Sequence, residues 1–233
     1  MVNALSFRPR FSFGNPGFLF LNKATKAPRH EGILCTLLHL KFCIFVPSWQ
    51  KSFIMGRLTL IIGGARSGKS QFALKIGEKL GKDRILVATA RATDPEMEAR
   101  ILKHRAERGP LWETFEEPLD VVSLLGSLPA GTHVLVIDCI TVLLSNLMIE
   151  KMYEDEELLR EIESLTSAIH ESRFPVIAVA NEVGMGLVPA EPLGRRFRDL
   201  AGMANQRLAE GADEVFLVTA GIPLCLKRGG DLT

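Results

Sequence analysis

Residues 63–70 read GGARSGKS: a glycine, four residues, then Gly68-Lys69-Ser70. The apolar, β-branched run RLTLII (57–62) precedes this octapeptide. KSQFALKIGEKLG (69–81) follows, with Phe72, Ala73, Ile76 and Leu80 at helical spacing and Gly81 as a stop. Strand, glycine-rich turn and helix in that order make a phosphate-cradling P-loop. The glycines let backbone N–H groups approach phosphate oxygens, and the helix offers them its positive end. Lys69 is placed to reach the β- and γ-phosphates and Ser70 to ligate Mg2+. The same loop serves kinases, motors, switches and passive nucleotide binders, so other residues must decide among them.

The rest of the chain alternates strands and helices. RILVATA (84–90) reads as a strand. Asp94-Pro95 opens a helix, PEMEARILKHRAER, that stops at Gly109-Pro110. PLDVVSLLGSL is a further helix, and HVLVID (133–138) a buried strand ending in an acid. TVLLSNLM and DEELLREIESLTSAIHESR are helices, the second with Leu158, Leu159, Ile162, Leu165 and Ile169 on one side. PVIAVAN (175–181) is a strand, and EPLGRRFRDLAGMANQRLAEGA a helix burying Phe197, Leu200, Ala201, Ala204 and Leu208. DEVFLVTAG closes the series with a strand. Apolar strands alternating with helices predict a P-loop NTPase-like α/β fold, a mainly parallel sheet with helices on both faces. Ligands of such sheets sit at the carboxyl ends of the strands.

Bulk properties narrow the partners. The 233 residues are 47% hydrophobic and 24% charged, ordinary globular values that suffice for one sizeable core. The net charge of +1 gives no case for nucleic-acid binding. Cys35, Cys43, Cys139 and Cys225 form no C-x-x-C pair and no zinc spacing, as expected of a cytoplasmic chain with reduced thiols. Residues 1–54 differ from the remainder: Glu31 is their one acidic residue. Their most apolar stretch, ILCTLLHLKFCIFV (33–46), is short for a membrane span and carries His39 and Lys41, so no stable membrane insertion is expected. Nor does it lie where a signal peptide would. The chain therefore divides into an N-terminal extension, 1–54, expected to be non-native or disordered, and a kinase-type domain, 55–233, beginning at Met55 just before the first strand.

Three further stretches carry chemistry. Asp138, ending VLVID, has the Walker B placement and suits a Mg2+ site, with helix capping before CITVLL as the alternative. His104 lies among Lys103, Arg105 and Arg108, and Met97, Ile101, His104 and Arg108 share a helix face. A semi-buried histidine and a nucleophile that forms a phosphoramidate beside polyphosphate-binding cations both fit this pattern. NEVGMGLVP (181–189) follows a strand and aims Asn181 and Glu182 at the ligand crevice, or else forms a tight turn with capping side chains. Arg195, Arg196 and Arg198 either contact substrate phosphate or face solvent.

GGARSGKS, EARILKHRAERGPLWETFEEP, VLVIDCIT, NEVGMGLVP and FRDLAGMANQRLAEGADEVFLV together resemble the bifunctional adenosylcobinamide kinase/adenosylcobinamide-phosphate guanylyltransferase family of cobalamin biosynthesis. The match runs in order from about 57 to 227. The P-loop is generic; the histidine helix and the block from NEVGMG to NQRLA are specific. The resemblance implies phosphorylation of the aminopropanol hydroxyl of adenosylcobinamide by ATP or GTP. It then implies transfer of GMP from GTP to that phosphate through a GMP–histidine intermediate, giving adenosylcobinamide-GDP. The family nucleophile falls on His104, leaving His30, His39, His133 and His170 outside the motif. Nucleotide contacts fall on Gly63, Gly64, Ala65, Arg66, Ser67, Gly68, Lys69 and Ser70, on Ala88, Thr89 and Ala90, on Arg105, Ala106, Glu107 and Arg108, and on Glu116 and Asp138. Ser70 and Asp138 are the metal positions, and a homotrimer is implied. Some relatives carry a second histidine where this chain has Lys103, and the 54-residue leader has no counterpart.

Two other classes share the P-loop and Asp138: a non-catalytic nucleotide-binding regulator or assembly ATPase, and a single-activity kinase. Neither requires His104. For the leader, the expected outcome is dispensability. A protein starting at Met55 should fold and retain both activities, and loss of soluble, active protein on that truncation would refute the assignment.

Overall fold

The computed structural model of the protein describes residues 56–92, 95, 98, 99, 101, 102, 105, 110–229, 231 and 232; the extension 1–54 and Met55 lie outside them. Its strands are β1 (Leu58–Gly63), β2 (Arg84–Ala88), β3 (Glu113–Glu116), β4 (Val134–Asp138), β5 (Val176–Asn181), β6 (Glu214–Thr219), β7 (Ile222–Arg228) and β8 (Asp231–Leu232). Its helices are α1 (Lys69–Leu80), α2 (Val121–Ser127), α3 (Ile140–Glu150), α4 (Asp155–Glu171) and α5 (Pro192–Gly211). Between β2 and β3 the described residues Pro95, Glu98, Ala99, Ile101, Leu102 and Arg105 are helical, as the sequence predicts.

The strands form one sheet in the order β3-β2-β4-β5-β1-β6-β7-β8. Pairing is parallel from β3 through β6 and antiparallel in β6–β7 and β7–β8. All the parallel strands therefore end on one edge, where the connections to the helices begin.

Alternation along each strand divides the core between two faces. Leu58 and Leu60, Ile85 and Val87, Leu135 and Ile137, and Val176 and Ala178 pack with the apolar sides of α3, α4 and α5. Ile61, Leu86, Val134, Val136, Ile177 and Val179 point the other way, against Ala73 of α1 and Trp112. Burial on both faces is why these strands read as continuous apolar runs rather than alternating ones. The stripe of α4 is buried at Leu158, Ile162, Leu165 and Ile169 and that of α5 at Leu200, Ala201, Ala204 and Leu208. Leu159 and Phe197 are partly buried at its margins.

Three strands depart from expectation. β3 (ETFE) is a short edge strand, mostly exposed, whose composition carries no apolar run. β7 contains Pro223 and has an exposed amino-terminal half; it pairs through a tight turn in which Ala220 (φ 49°) and Gly221 (φ 79°) are both left-handed. Such two-residue turns match the twist of a hairpin. β8 extends this antiparallel edge.

On the α1 face, close approach fixes one residue type. A Cβ on Gly77 would stand 2.4 Å from Cη2 of Trp112, whose indole is 6% exposed. Gly77→Val is therefore expected to destabilise the domain by about 2 kcal/mol through overpacking. Thermal unfolding should fall by roughly 4–8 °C. An unchanged transition temperature would show that the indole yields freely.

Candidate active site

The phosphate loop leaves the sheet at Gly63, between β5 and β6. A Cβ there would meet the Val218 carbonyl oxygen at 2.5 Å and Ser67 Oγ at 2.6 Å, so only glycine fits. Arg66 (φ 56°) and Gly68 (φ 94°) are left-handed and curl the chain back into α1. Phe72 N donates to Gly68 O at 3.0 Å and Ser67 N to Gly64 O at 3.3 Å. Ser67 Oγ is buried in the loop without a hydrogen-bond partner. The β6–β7 turn braces the loop from outside, where Gly221 N donates to Ser67 O at 2.9 Å.

Cation and carboxylate meet over this loop. Lys69 Nζ donates to Gly64 O at 3.1 Å, and Ser70 Oγ donates to Asp138 Oδ1 at 3.4 Å. Burial holds the Lys69 ammonium below the ordinary lysine value, opposed by Cys139 and the Asp138 carboxylate beside it. A partly desolvated cation interacts more strongly with phosphate than one in water. Asp138 is not the cap of α3; that position is Cys139, which makes no side-chain cap bond. Burial, and then the Asp138 charge, push the Cys139 thiol up to about 11, so it stays protonated at neutral pH and is no nucleophile. Ser70 and Asp138 offer the hard oxygen donors that Mg2+ takes alongside phosphate oxygens and water. Among the described residues no group of three or more His, Cys, Asp or Glu makes a full protein cage for a metal.

A second feature opens at the ends of β2 and β3. A cavity of about 390 Å³ is lined by Ala90, Arg91, Glu98, Ile101, Arg105 and Glu116, among others. Arg105 Nη2 donates to Glu116 Oε1, so an ion pair closes one side. Both partners are half exposed, and such a pair adds little to stability. Thr89 is fully buried, and its hydroxyl donates to Cys139 O (2.8 Å) and accepts from Cys139 N (2.9 Å). Asn146 Nδ2 donates to both Thr89 O and Pro118 O at 2.9 Å. These bonds tie the 88–90 segment to the Asp138 turn, leaving Ala90 to line the cavity. A larger groove, about 540 Å³, lies along α2 and α4 and includes none of the strand-end residues.

Of the residues singled out from sequence, Gly63 to Ser70, Ala88 to Ala90, Arg105, Glu116 and Asp138 all lie along this carboxyl edge. His104, Ala106, Glu107 and Arg108 lie outside the described residues. Two other histidines have structural partners: His133 pairs with Asp83 at 2.7 Å, and His170 bonds the carbonyls of Gly56 and Gly211. The arginines near the start of α5 are partly exposed and each has a protein partner. Arg195 donates to Pro189 O, Arg196 to Asp155 Oδ1 at 2.7 Å, and Arg198 to its neighbour Asp199. Arg91, Glu98 and Asn146 were not legible as site residues. For Glu98, Ile101, Leu102 and Arg105, spacings of three and four were the available signal.

The sequence profile described as cobinamide kinase / cobinamide phosphate guanyltransferase matches residues 59–226. The chain is 40% identical over 168 residues to the bifunctional adenosylcobalamin biosynthesis protein CobP of Pseudomonas aeruginosa, covering 72% of this chain and 96% of that one. It is 37% identical over 182 residues to the bifunctional adenosylcobalamin biosynthesis protein CobU of Escherichia coli, covering 73% and 99%. The protein of that same name from Salmonella typhimurium is 37% identical over 187 residues, again with 73% and 99% covered. A solved structure of the RadB recombinase aligns with a TM-score of 0.40 at 19% identity, over 70% of this chain and 74% of that one.

Lys69→Ala is expected to lower phosphoryl-transfer turnover about 100- to 1,000-fold, the loss of one preorganised charge contact in a transition state. Steady-state turnover with saturating ATP measures it. Wild-type turnover would show that the loop serves another purpose.

Proposed function

The chain belongs to the cobinamide kinase/cobinamide phosphate guanyltransferase family, a family of bifunctional transferases, and we propose that it carries out both reactions on adenosylcobinamide. In the first, ATP or GTP phosphorylates the aminopropanol hydroxyl. In the second, GMP passes from GTP to the new phosphate, giving adenosylcobinamide-GDP and pyrophosphate. One observation carries the reading: a phosphate loop with Lys69, Ser70 and Asp138 shares its sheet edge with a separate cavity walled by Glu116 and by Arg105, the residue that follows His104 in the sequence.

Phosphoryl transfer requires alignment and charge stabilisation more than covalent help. The loop amides and Lys69 hold the β- and γ-phosphates while the hydroxyl oxygen attacks phosphorus. Mg2+, held through Ser70 and Asp138, supplies further neutralisation of phosphate charge when bound. Guanylyl transfer runs in two displacements at the α-phosphorus. A neutral nitrogen of His104 forms the P–N bond as the bond to pyrophosphate breaks. A phosphate oxygen of the acceptor then forms the new P–O bond and releases the imidazole. Arg105 and Arg108 neutralise the departing pyrophosphate. Ala88, Thr89, Ala90, Ala106, Glu107 and Glu116 complete the nucleotide contacts in this reading. It extends to a homotrimer in the cytoplasm; support for the trimer comes from the resemblance to family members, and for the compartment from the free-thiol pattern of the cysteines. Among the described residues no helix is long and apolar enough to cross a membrane.

GTP labelled at its α-phosphate should transfer label to the protein as an acid-labile, alkali-stable adduct on His104. His104→Ala should abolish both the label and guanylyl transfer, because it removes the nitrogen that attacks the α-phosphorus. Peptide mapping decides the matter: an adduct on another residue, or none under turnover conditions, would overturn the covalent mechanism and favour a single-activity kinase or a binding protein.

A further inference from the structure

Phosphorylating a hydroxyl releases a proton, which a base beside the phosphate loop can take. Lys69 is a donor, and Ser70 already donates to Asp138. The strand order brings another carboxylate to the spot. β5 lies between β4 and β1, with Asn181 in register with Gly63 and Val179 in register with Asp138. Glu182 follows Asn181, so it projects beyond the level of Asp138 on the strand beside the phosphate loop. Its amide donates to Gly63 O at 2.9 Å, which anchors it to the loop's first residue.

The side chain is held without being consumed. Glu182 Oε1 accepts the Gly184 amide at 2.6 Å, and the residue is half-buried. A Cβ on Gly184 would stand 3.0 Å from that oxygen, so glycine leaves the carboxylate its place. Three other described acids at this edge are engaged elsewhere. Asp138 accepts from Ser70, Glu116 from Arg105, and Glu117 Oε1 from the amides of Leu119 and Asp120.

The structure assigns Glu182 as the general base of the kinase reaction, taking the proton of the acceptor hydroxyl; this rests on the kinase activity proposed above. As the hydroxyl oxygen forms its bond to the γ-phosphorus, the bond from that phosphorus to the bridging oxygen breaks and its electron pair leaves with the nucleoside diphosphate. The hydroxyl proton passes to Glu182 Oε2. A positioned base of this kind contributes about 100- to 10,000-fold in rate.

The test compares Glu182→Gln and Glu182→Ala with the wild-type full chain, using adenosylcobinamide and ATP. Glutamine keeps an oxygen for the Gly184 amide but has no basicity, so kcat should fall about 100-fold or more with KM for ATP not raised. Formate should restore turnover to Glu182→Ala in proportion to its concentration, a rescue that a merely structural role would not permit. Guanylyl transfer to preformed adenosylcobinamide phosphate, whose acceptor oxygen is already ionised, should lose far less than the kinase step. Wild-type turnover in Glu182→Gln, or a kinase loss in Glu182→Ala that formate does not relieve, would overturn the assignment while leaving the kinase reading intact. A wild-type protein that does not phosphorylate adenosylcobinamide would instead remove both.

Discussion

Gly63 is the point on which the site depends. Its carbonyl accepts the Glu182 amide at 2.9 Å, and its missing side chain lets the Val218 carbonyl and Ser67 Oγ approach. The strand is thus gripped on both sides up to the residue where the phosphate loop begins. A loop tied so closely to a parallel sheet inherits the sheet's rigidity. Its amides are fixed before any nucleotide arrives, and preorganised dipoles need no rearrangement during reaction. The β6–β7 turn adds an outer brace through Gly221, at the cost of a left-handed conformation in Ala220, a residue that rarely adopts one.

The phosphate loop and the cavity share one edge because the parallel strands end there together. On the β1 side stand the loop, Asp138 and Glu182; on the β2–β3 side stands the cavity with Arg105 and Glu116. Thr89 and Asn146 join the halves. The Thr89 hydroxyl bonds the Cys139 backbone in both directions, and Asn146 reaches Thr89 and Pro118 from α3. Buried bonds of this kind are costly to leave unmade, so they hold the two halves in a defined relation.

Most elements were legible because their signals are local. The buried strands announce themselves as apolar runs, and α4 and α5 as stripes at helical spacing that the structure buries at Leu158, Ile162, Leu200 and Leu208. β3 and β7 were not legible. β3 is an edge strand and β7 is followed outward only by the two-residue β8, so ETFE and IPLCLKR stay largely exposed, need no apolar run and can carry charge or proline. The arginines of α5 were open between phosphate and solvent; the structure adds a partner for Arg196, Asp155 on another helix, that no spacing in the sequence reveals.

The sequence by itself determined the phosphate loop, the acid at the end of a buried strand, the basic stretch around His104 and, through their joint order, the family. Each rests on φ/ψ demands, burial patterns or residue identities readable within one segment. Only the tertiary structure decided which strands are neighbours. Placing β5 between β4 and β1 puts Glu182 against the loop, and pairing β3 with β2 brings Glu116 to Arg105. Strand order is chosen by the burial of two sheet faces and by hydrogen bonds between residues far apart in the chain. Asn181 and Gly63 lie in register because the sheet closes that way, and nothing local to either residue requires it.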